Sequence, residues 1–327
     1  MNNFQKLEYP YYKLYYDFNK NLFLKMVHNF KPNISYIIPN YLHQKSSQLK
    51  KFDNKYFIIY DPYSKTSNIN NITDYFTESV RVKCAFKNHL SPLEYWTKNK
   101  KTIINKLLQN HKKITIYNLR EEIFFNYRLC NNFRITVCLA VLQHFKAKKW
   151  LDISAGWGDR LLAAIFYNVS KYVSCDPNLD LHPCYQNIID TFVEPSNKHK
   201  FKIYPNGFLE IKLSNQKFDI VFSSPPFFDL EIYSTHKENS LTSLTTKTED
   251  EWIKHFLIPA ITKAYNHLKK NGVMVLYFGG SDKAIHAMQK LNNIMKYLGI
   301  IYFCDSNKKP RGMNVWKKIK SGTINSL

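Results

Sequence analysis

Apolar and polar positions change their rhythm twice along this chain. Residues 1–80 mix short aromatic and apolar runs, Ile34–Ile38 and Tyr56–Tyr60 among them, with Asn, Pro and Ser. Neither the helical nor the strand period emerges there, so no fold is assigned to this stretch. From Ser91 the sequence SPLEYWTKNKKTIINKLLQNH places apolar residues at helical spacing behind a Ser-x-x-Glu start, with Ser91 as the cap and Glu94 reaching back to it. A second helix is expected over Thr136–Lys146, directly before the first strong strand. The chain then alternates: strand Lys149–Ser154, helix Asp159–Tyr167, strand Tyr172–Asp176, helix Leu181–Phe192, then strands Phe201–Tyr204 and Phe218–Ser223. A long helix, Glu249–Leu268, has acidic residues at its start and Lys269–Gly272 at its close, as the helix dipole and a terminal glycine favour. Strand Gly272–Gly279, helix Asp282–Tyr297 and strands Ile300–Cys304 and Asn314–Ile319 complete the pattern.

Strands alternating with helices of about 10–15 residues predict an α/β protein, a Rossmann-like and mostly parallel sheet with helices on both faces. The last two strands break the alternation. Residues Asp305–Met313 are too few for a helical crossover, so these strands should form an antiparallel hairpin. The expected organisation is a basic, aromatic-rich accessory region over residues 1–90, a helical lead-in over 91–147 and a catalytic domain over 148–327.

Charge sharpens this picture. The 327 residues hold 47 Lys and Arg against 25 Asp and Glu, a net charge of +22, and 23 basic against 9 acidic side chains in residues 1–146 carry +14 of it. Such a balance points to a polyanionic partner, hence nucleic acid. In YPYYKLYYDFNKNLFLK basic side chains interleave with aromatics, which suits phosphate contact combined with base stacking. A genome poor in G and C would raise Lys, Asn, Ile, Tyr and Phe by codon usage alone. No uncharged apolar run reaches the roughly 18 residues that would suggest a membrane span, and the N-terminus lacks the basic-then-apolar layout of a secretory signal. The six cysteines form no CxxC pair and sit in expected core elements, which implies reduced, structural thiols, no metal site and an intracellular rather than secreted setting. Oligomeric state is left open.

The first candidate chemistry lies in KKWLDISAGWGDRLLAAIF, where Gly156 and Gly158 occupy the turn between a strand and its helix. Glycine lets the backbone approach a ligand closely, and a helix N-terminus presents free amide groups. A dinucleotide fingerprint needs a third glycine where Leu161 stands, so the loop suits a ligand without a pyrophosphate. Asp176 follows Gly158 by 18 residues, at the end of the next strand, where a carboxylate can accept from both ribose hydroxyls. Adenosine without a diphosphate is the implied cofactor part. Asp152, with Ser154 beside it, is a second candidate contact near an amino-acid moiety; the alternative is a buried carboxylate capping the loop.

The second lies in FDIVFSSPPFFDLEIY. Ser224, Pro225, Pro226 and Phe227 fall at the C-terminal edge of the fourth strand, the edge where open α/β sheets bind ligands. A base amino group is a poor nucleophile because its lone pair is delocalised into the ring. Two acceptors facing it, the Ser224 hydroxyl and the Pro225 carbonyl, favour a pyramidal nitrogen and aim the lone pair at a sulfonium methyl, so catalysis is positioning plus electrostatics. The prolines stiffen the loop, and Phe227, with Phe228 beside it, offers a face for a splayed base.

On these residues the chain from about Lys148 to Ile319 resembles the class I S-adenosylmethionine-dependent amino-methyltransferases, whose motif reads Asp, Asn or Ser, then two prolines, then an aromatic. AGWGDRLLAA, CDPN and SSPPFFDLEIY also resemble methyltransferases of phages and large DNA viruses. The resemblance implies a seven-stranded sheet whose last strand inserts antiparallel, and S-adenosyl-L-methionine as cofactor. It implies that Gly156 and Gly158 line the methionine part, Asp176 holds the ribose, and Ser224 to Phe227 hold the target base. The position after the third strand, commonly acidic in the family, is Asn206 here, which can still hydrogen-bond adenine. The serine of the motif is commoner among N4-cytosine enzymes.

Only 65 residues lie between Gly158 and Ser224, so no recognition domain is inserted there. Selection of substrate is expected from the N-terminal region and from residues 229–248, read as a lid or a disordered connector. Arg120, Arg128 and Arg134 lie just ahead of the core, either meeting phosphates or carrying exposed helix-face charge; Asp229 and Glu231 either aid the amine or face solvent. The expected activity is methylation of an exocyclic amino group in DNA, N4-cytosine or N6-adenine. Alternatives are an RNA base (adenine N6 or guanine N2), protein glutamine, and an inert nucleic-acid-binding protein that keeps the fold.

Overall fold

In the computed structural model, which describes residues 7–86, 89–127, 129–228, 231–233, 248–305 and 310–327, the alternation expected from Lys149 onward closes into one sheet. In chain order the elements are α1 Lys20–Asn29, β1 Asn33–Ser35, β2 Ile58–Tyr60, α2 Tyr63–Asn70, α3 Ile72–Arg81, β3 Ala85–Phe86, α4 Pro92–Gln109, α5 Ile116–Asn126, α6 Ile135–Phe145 and β4 Lys149–Leu151. There follow α7 Asp159–Phe166, β5 Lys171–Cys175, α8 His182–Phe192, β6 Phe201–Tyr204, β7 Phe218–Ser223, β8 Glu231–Ile232 and α9 Glu249–Trp252. The chain ends with α10 Ile258–His267, β9 Leu268–Leu276, α11 Asp282–Met288, β10 Met295–Cys304 and β11 Arg311–Lys318.

The sheet runs β1-β2-β10-β11-β9-β7-β4-β5-β6. Strands β4, β5, β6, β7 and β9 pair in parallel. β11 is inserted antiparallel between β9 and β10, so the expected terminal hairpin is present. One face is covered by α6, α7 and α8 together with the N-terminal helices, the other by α9, α10 and α11, as the two largest apolar clusters show. The expectation of an α/β, Rossmann-like, mostly parallel sheet is met. Among the described residues no helix is long and apolar enough to cross a membrane.

The sheet has nine strands rather than seven, because the N-terminal region supplies two. β2 adds parallel to β10, with Ile58 opposite Tyr302, and β1 adds antiparallel to β2. Ile58 and Ile59 are buried there, and they cover an edge that would otherwise present unpaired backbone groups. Three-residue strands are too short to display a period. Residues 1–90 and the later strands thus share one apolar core, in which Phe23, Phe57 and Ile72 pack with Trp150 and Phe222.

Local rules explain most boundaries. Ser91 Oγ accepts from Glu94 N at 3.2 Å while Glu94 Oε2 accepts from Ser91 N at 2.8 Å, the reciprocal cap that starts α4. The helix expected over Glu249–Leu268 ends at His267 and carries a π turn at Ile253–Leu257, beside Pro259, which has no N–H to give the ladder. Leu268 already pairs with Phe218, and Lys269–Gly272 form a bulge before Val273 meets Ile220. The helix expected over Asp282–Tyr297 stops at Met288 and passes through a 3₁₀ turn at Gln289–Asn293 into β10. There Asn292 Oδ1 accepts from Trp316 Nε1 at 2.8 Å, which ties the turn to β11.

Gly299 joins the N-terminal region to β10. Its φ is +112° at the bulge of the hairpin, and a Cβ there would lie 1.9 Å from the Lys51 carbonyl oxygen. Gly299→Ala is expected to lower unfolding stability by roughly 3 kcal/mol through strain and displacement of residues 51–52. Denaturant unfolding checks this; a midpoint equal to the parent's would contradict it.

Candidate active site

The glycine loop is shaped by a buried guanidinium. Arg160, on the first turn of α7, donates through Nε to Asp152 Oδ2 at 2.8 Å, and its Nη2 donates to the Ser154 carbonyl. Tyr172 O–H donates to the same Asp152 oxygen at 2.8 Å. Asp152 is therefore saturated by its own chain, fully buried beneath the loop and not part of the cleft wall. The Asp152 charge raises the Arg160 pKa against the opposing effect of burial.

Above it the two glycines do different work. Gly156, at φ +61°, lines the cleft and donates its N–H to Asp176 Oδ2 at 3.2 Å. Gly158, at φ +99°, faces packing: a Cβ there would lie 3.0 Å from Ile188 Cδ1 and 3.8 Å from Thr77 Cγ2. Asp176 follows β5 and lines the cleft. Asn178 N donates to its Oδ1 at 2.9 Å, and the Tyr185 hydroxyl is shared between Oδ2, at 3.2 Å, and the Gly156 carbonyl. Burial dominates these bonds and pushes the Asp176 pKa up to about 6. After β6 the chain exposes Asn206, and the cleft is reached two residues later by Phe208. No polar signal marks Phe208 in the sequence.

The proline loop is tied directly to the glycine loop, since Ser154 Oγ donates to the Ser224 carbonyl at 2.9 Å. Ser154, Ser224, Pro226 and Phe227 line the same cleft as Asp176, which encloses about 170 Å³. Pro225 is buried. Phe228 is half-buried and packs with the core on the α9–α11 face of the sheet. The Phe227 ring lies against Gly279, where a Cβ would come within 2.6 Å of it, and meets the Tyr277 ring edge-on at 6.2 Å. This position has no room for a side chain.

Glu231, whose sequence context fits solvent and site equally, is buried in the cleft wall. Glu231 Oε1 accepts from Asn131 N at 3.1 Å, and its carboxylate is hydrogen-bonded by Tyr233. Burial raises the Glu231 pKa above its ordinary value. The Tyr233 hydroxyl also accepts from Phe227 N at 3.4 Å. The N-terminal region supports this segment, because β8 pairs with β3 and Cys84 Sγ lies 2.7 Å from the Tyr233 carbonyl.

The arginines expected ahead of the core part company. Arg120 is buried and pairs with Asp74 at 2.6 Å and with Glu78, so it neither meets phosphate nor lies on an exposed helix face. Arg134 lines the cleft and pairs with Asp61 at 2.8 Å and, more loosely, Asp305 at 3.7 Å. Arg128, Asp229 and, of the expected lid, residues 230 and 234–247 lie outside the described residues, while its residues 231–233 form β8 and part of the cleft wall. Arg311 and Tyr277 also line the cleft, and neither was singled out in the sequence.

Fold and site together define a class: a Rossmann-like α/β protein with one cleft joining a carboxylate after β5 to a Ser-Pro-Pro-Phe loop after β7. No protein-family model and no curated protein matches the chain. Among solved structures it is similar to a methyltransferase from Pyrococcus furiosus, at 17% identity over 57% of this chain and 84% of that one, with a TM-score of 0.41. It is similar also to TrmN from Thermus thermophilus, at 13% identity over 57% of this chain and 49% of that one, TM-score 0.40. An rRNA methylase from Streptococcus thermophilus gives 9% identity over 57% of this chain and 96% of that one, TM-score 0.38.

Removing the guanidinium tests the scaffold. Arg160→Met leaves the Asp152 carboxylate buried without its cation and is expected to cost about 3–5 kcal/mol of stability. Denaturant unfolding measures it, and a loss below 1 kcal/mol, the range of exposed pairs, would contradict the account.

Proposed function

We propose that this protein is an S-adenosylmethionine-dependent methyltransferase acting on an exocyclic amino group of a nucleic-acid base, in DNA rather than RNA, at cytosine N4 or adenine N6. The observation that carries the reading is the Ser154–Ser224 hydrogen bond, which holds the proline loop against the glycine loop so that both face one cleft. The +22 charge supports a polyanionic substrate. The resemblance of SSPPFF to the amino-methyltransferase motif supports the reaction.

The residues present fit the cofactor. Gly156 puts backbone rather than side chain against the cleft, where a Cβ would approach the Arg160 guanidinium at 3.3 Å, and Asp176 presents a carboxylate in the same wall. Asp176 would hold the ribose hydroxyls and Gly156 the amino-acid part, and Phe208 would pack against the adenine. When bound, S-adenosylmethionine supplies an electrophilic methyl group on sulfonium.

The chain's own groups then position the nucleophile. The Ser224 carbonyl is occupied by Ser154, which leaves the Ser224 hydroxyl in the cleft wall to accept from the target amine; Pro225 is buried and does not line the cleft, so its carbonyl is the second acceptor by the motif's resemblance alone. Phe227, fixed against Gly279, stacks the base. The methylated nitrogen must lose a proton, and the Glu231 carboxylate, held by Asn131 and Tyr233 in the same wall, accepts it.

Ser224→Ala is expected to lower kcat about a hundredfold while leaving the S-adenosylmethionine Kd within twofold of the parent's. Steady-state kinetics with calorimetric binding check both, and an undiminished kcat would remove Ser224 from the mechanism. Asp176 must be ionised to accept from both ribose hydroxyls, since protonation turns one of its oxygens, which already serve Gly156, Asn178 and Tyr185, into a donor. Its pKa is raised, so cofactor affinity is expected to be full above pH about 6 and to fall as pH drops through that value. Titration of Kd against pH checks this; equal affinity well below pH 6 would contradict it. Methyl uptake compared on duplex DNA, single-stranded DNA and RNA tests the polymer, and uptake confined to RNA would overturn the choice of DNA.

A further inference from the structure

β11 opens with Arg311, half-buried in the cleft wall. Its guanidinium lies 4.5 Å from the centre of the Phe303 ring and is hydrogen-bonded to Tyr277. These contacts hold the group in place, and a guanidinium has five N–H donors, more than one bond to Tyr277 uses. Arg134 stands in the same wall, with its charge matched by Asp61 and Asp305. Among the described residues no carboxylate comes within ion-pair distance of Arg311. Burial and the neighbouring Arg134 lower its pKa, with Tyr277 and Asp61 acting in the opposite sense. Partial burial disfavours the charged form of Arg311, and an anion bound beside it would offset that effect.

The sheet order says which anion. From β11 to β5 the strands run β11-β9-β7-β4-β5. Four inter-strand steps of about 4.8 Å place the start of β11 roughly 19 Å from the end of β5, where Asp176 follows. β7, which delivers Ser224, lies midway. Arg311 is therefore on the side of Ser224 opposite the carboxylate assigned to the ribose, bonded to Tyr277, whose ring meets that of Phe227.

We propose that Arg311 binds the phosphate group of the nucleotide whose base is presented to Ser224, so that the site takes a nucleotide unit rather than a bare base. The inference rests on the methyltransferase reading above. A stacked guanidinium fits phosphate because its planar fork can donate two parallel N–H bonds to two oxygens. The phosphate can belong to a polymer or to a free nucleotide, and the test separates them.

The experiment uses the full chain and the variants Arg311→Gln and Arg311→Lys. Probes are the deoxynucleoside 5′-monophosphates, the matching nucleosides and a short single-stranded DNA oligonucleotide, each measured for binding in the presence of S-adenosylmethionine. The parent is expected to prefer monophosphate over nucleoside by about tenfold, the scale of one charge-assisted phosphate contact. Arg311→Gln should lose that preference, and its oligonucleotide affinity should depend on salt with a slope shallower by about one. Arg311→Lys should keep part of both, which shows that charge rather than folding was removed. Oligonucleotide effects without a monophosphate preference would assign the contact to a polymer phosphate, loss confined to the monophosphate preference to a free nucleotide, and loss of both to the phosphate that the two share.

An unchanged monophosphate preference together with an unchanged oligonucleotide affinity and salt slope in Arg311→Gln would overturn the proposal. So would a selective loss of S-adenosylmethionine affinity, which would give the guanidinium to the cofactor's carboxylate. Failure of the underlying reading shows separately, as absence of S-adenosylmethionine binding to the parent protein by calorimetry.

Discussion

Arg160 is the constraint on which the rest of the site depends. Its Nε is spent on Asp152 beneath the loop and its Nη2 on the Ser154 carbonyl above it, so one buried cation sets the height of the strand-to-helix turn. Ser154 then reaches across to the Ser224 carbonyl. The loop after β4 and the loop after β7 thus meet through a short chain of bonds that begins at a group with no exposure to speak of. Low dielectric makes such bonds strong and their interruption costly, which suits a site whose chemistry is positioning. Phe133, ahead of α6, lies 5.7 Å from the same guanidinium and brings the lead-in segment to the cleft.

The N-terminal region contributes to this geometry as well as to charge. β1 and β2 extend the sheet at its β10 edge, and β3 pairs with β8 directly after the proline loop. Through Cys84 and the Tyr233 carbonyl, and then through the Tyr233 hydroxyl and Phe227 N, residues 84–86 are linked to the ring on which a base would stack. α3 adds Thr73 Oγ1, which donates to the buried Asp159 carboxyl at the start of α7 at 2.6 Å. Burial raises Asp159 to about 7, so this N-terminal helix also touches the glycine loop's own helix at a titratable group.

Much of the fold was legible because its signals are local. Phe201–Tyr204 and Phe218–Ser223 are strands with the boundaries the apolar runs suggest, and Ser91 and Glu94 form the cap their spacing implies. What the sequence concealed depends on partners far away. β2 is a strand only because β10 is there to pair with it, and Arg120 is an internal ion-pair partner only because Asp74 and Glu78 face it. At the site, Gly156, Asp176, Ser224 and Phe227 converge in one cleft, whereas Asp152 and Gly158 sit behind it and Asn206 points to solvent. Phe208, Glu231, Tyr277 and Arg311 enter the wall from strands and turns whose relative placement no local pattern encodes.

The cleft thus divides at β7 into a side bearing Asp176 and Gly156 and a side bearing Phe227, Tyr277 and Arg311, with Ser224 between them. The central claim is that the atom delivered to Ser224 is an exocyclic base nitrogen. Transfer of isotopically labelled methyl from S-adenosylmethionine to DNA, followed by digestion and nucleoside mass spectrometry, tests it most directly. The account predicts label in N4-methylcytosine or N6-methyladenine; label on a ring carbon, or no label in any nucleoside, would contradict it.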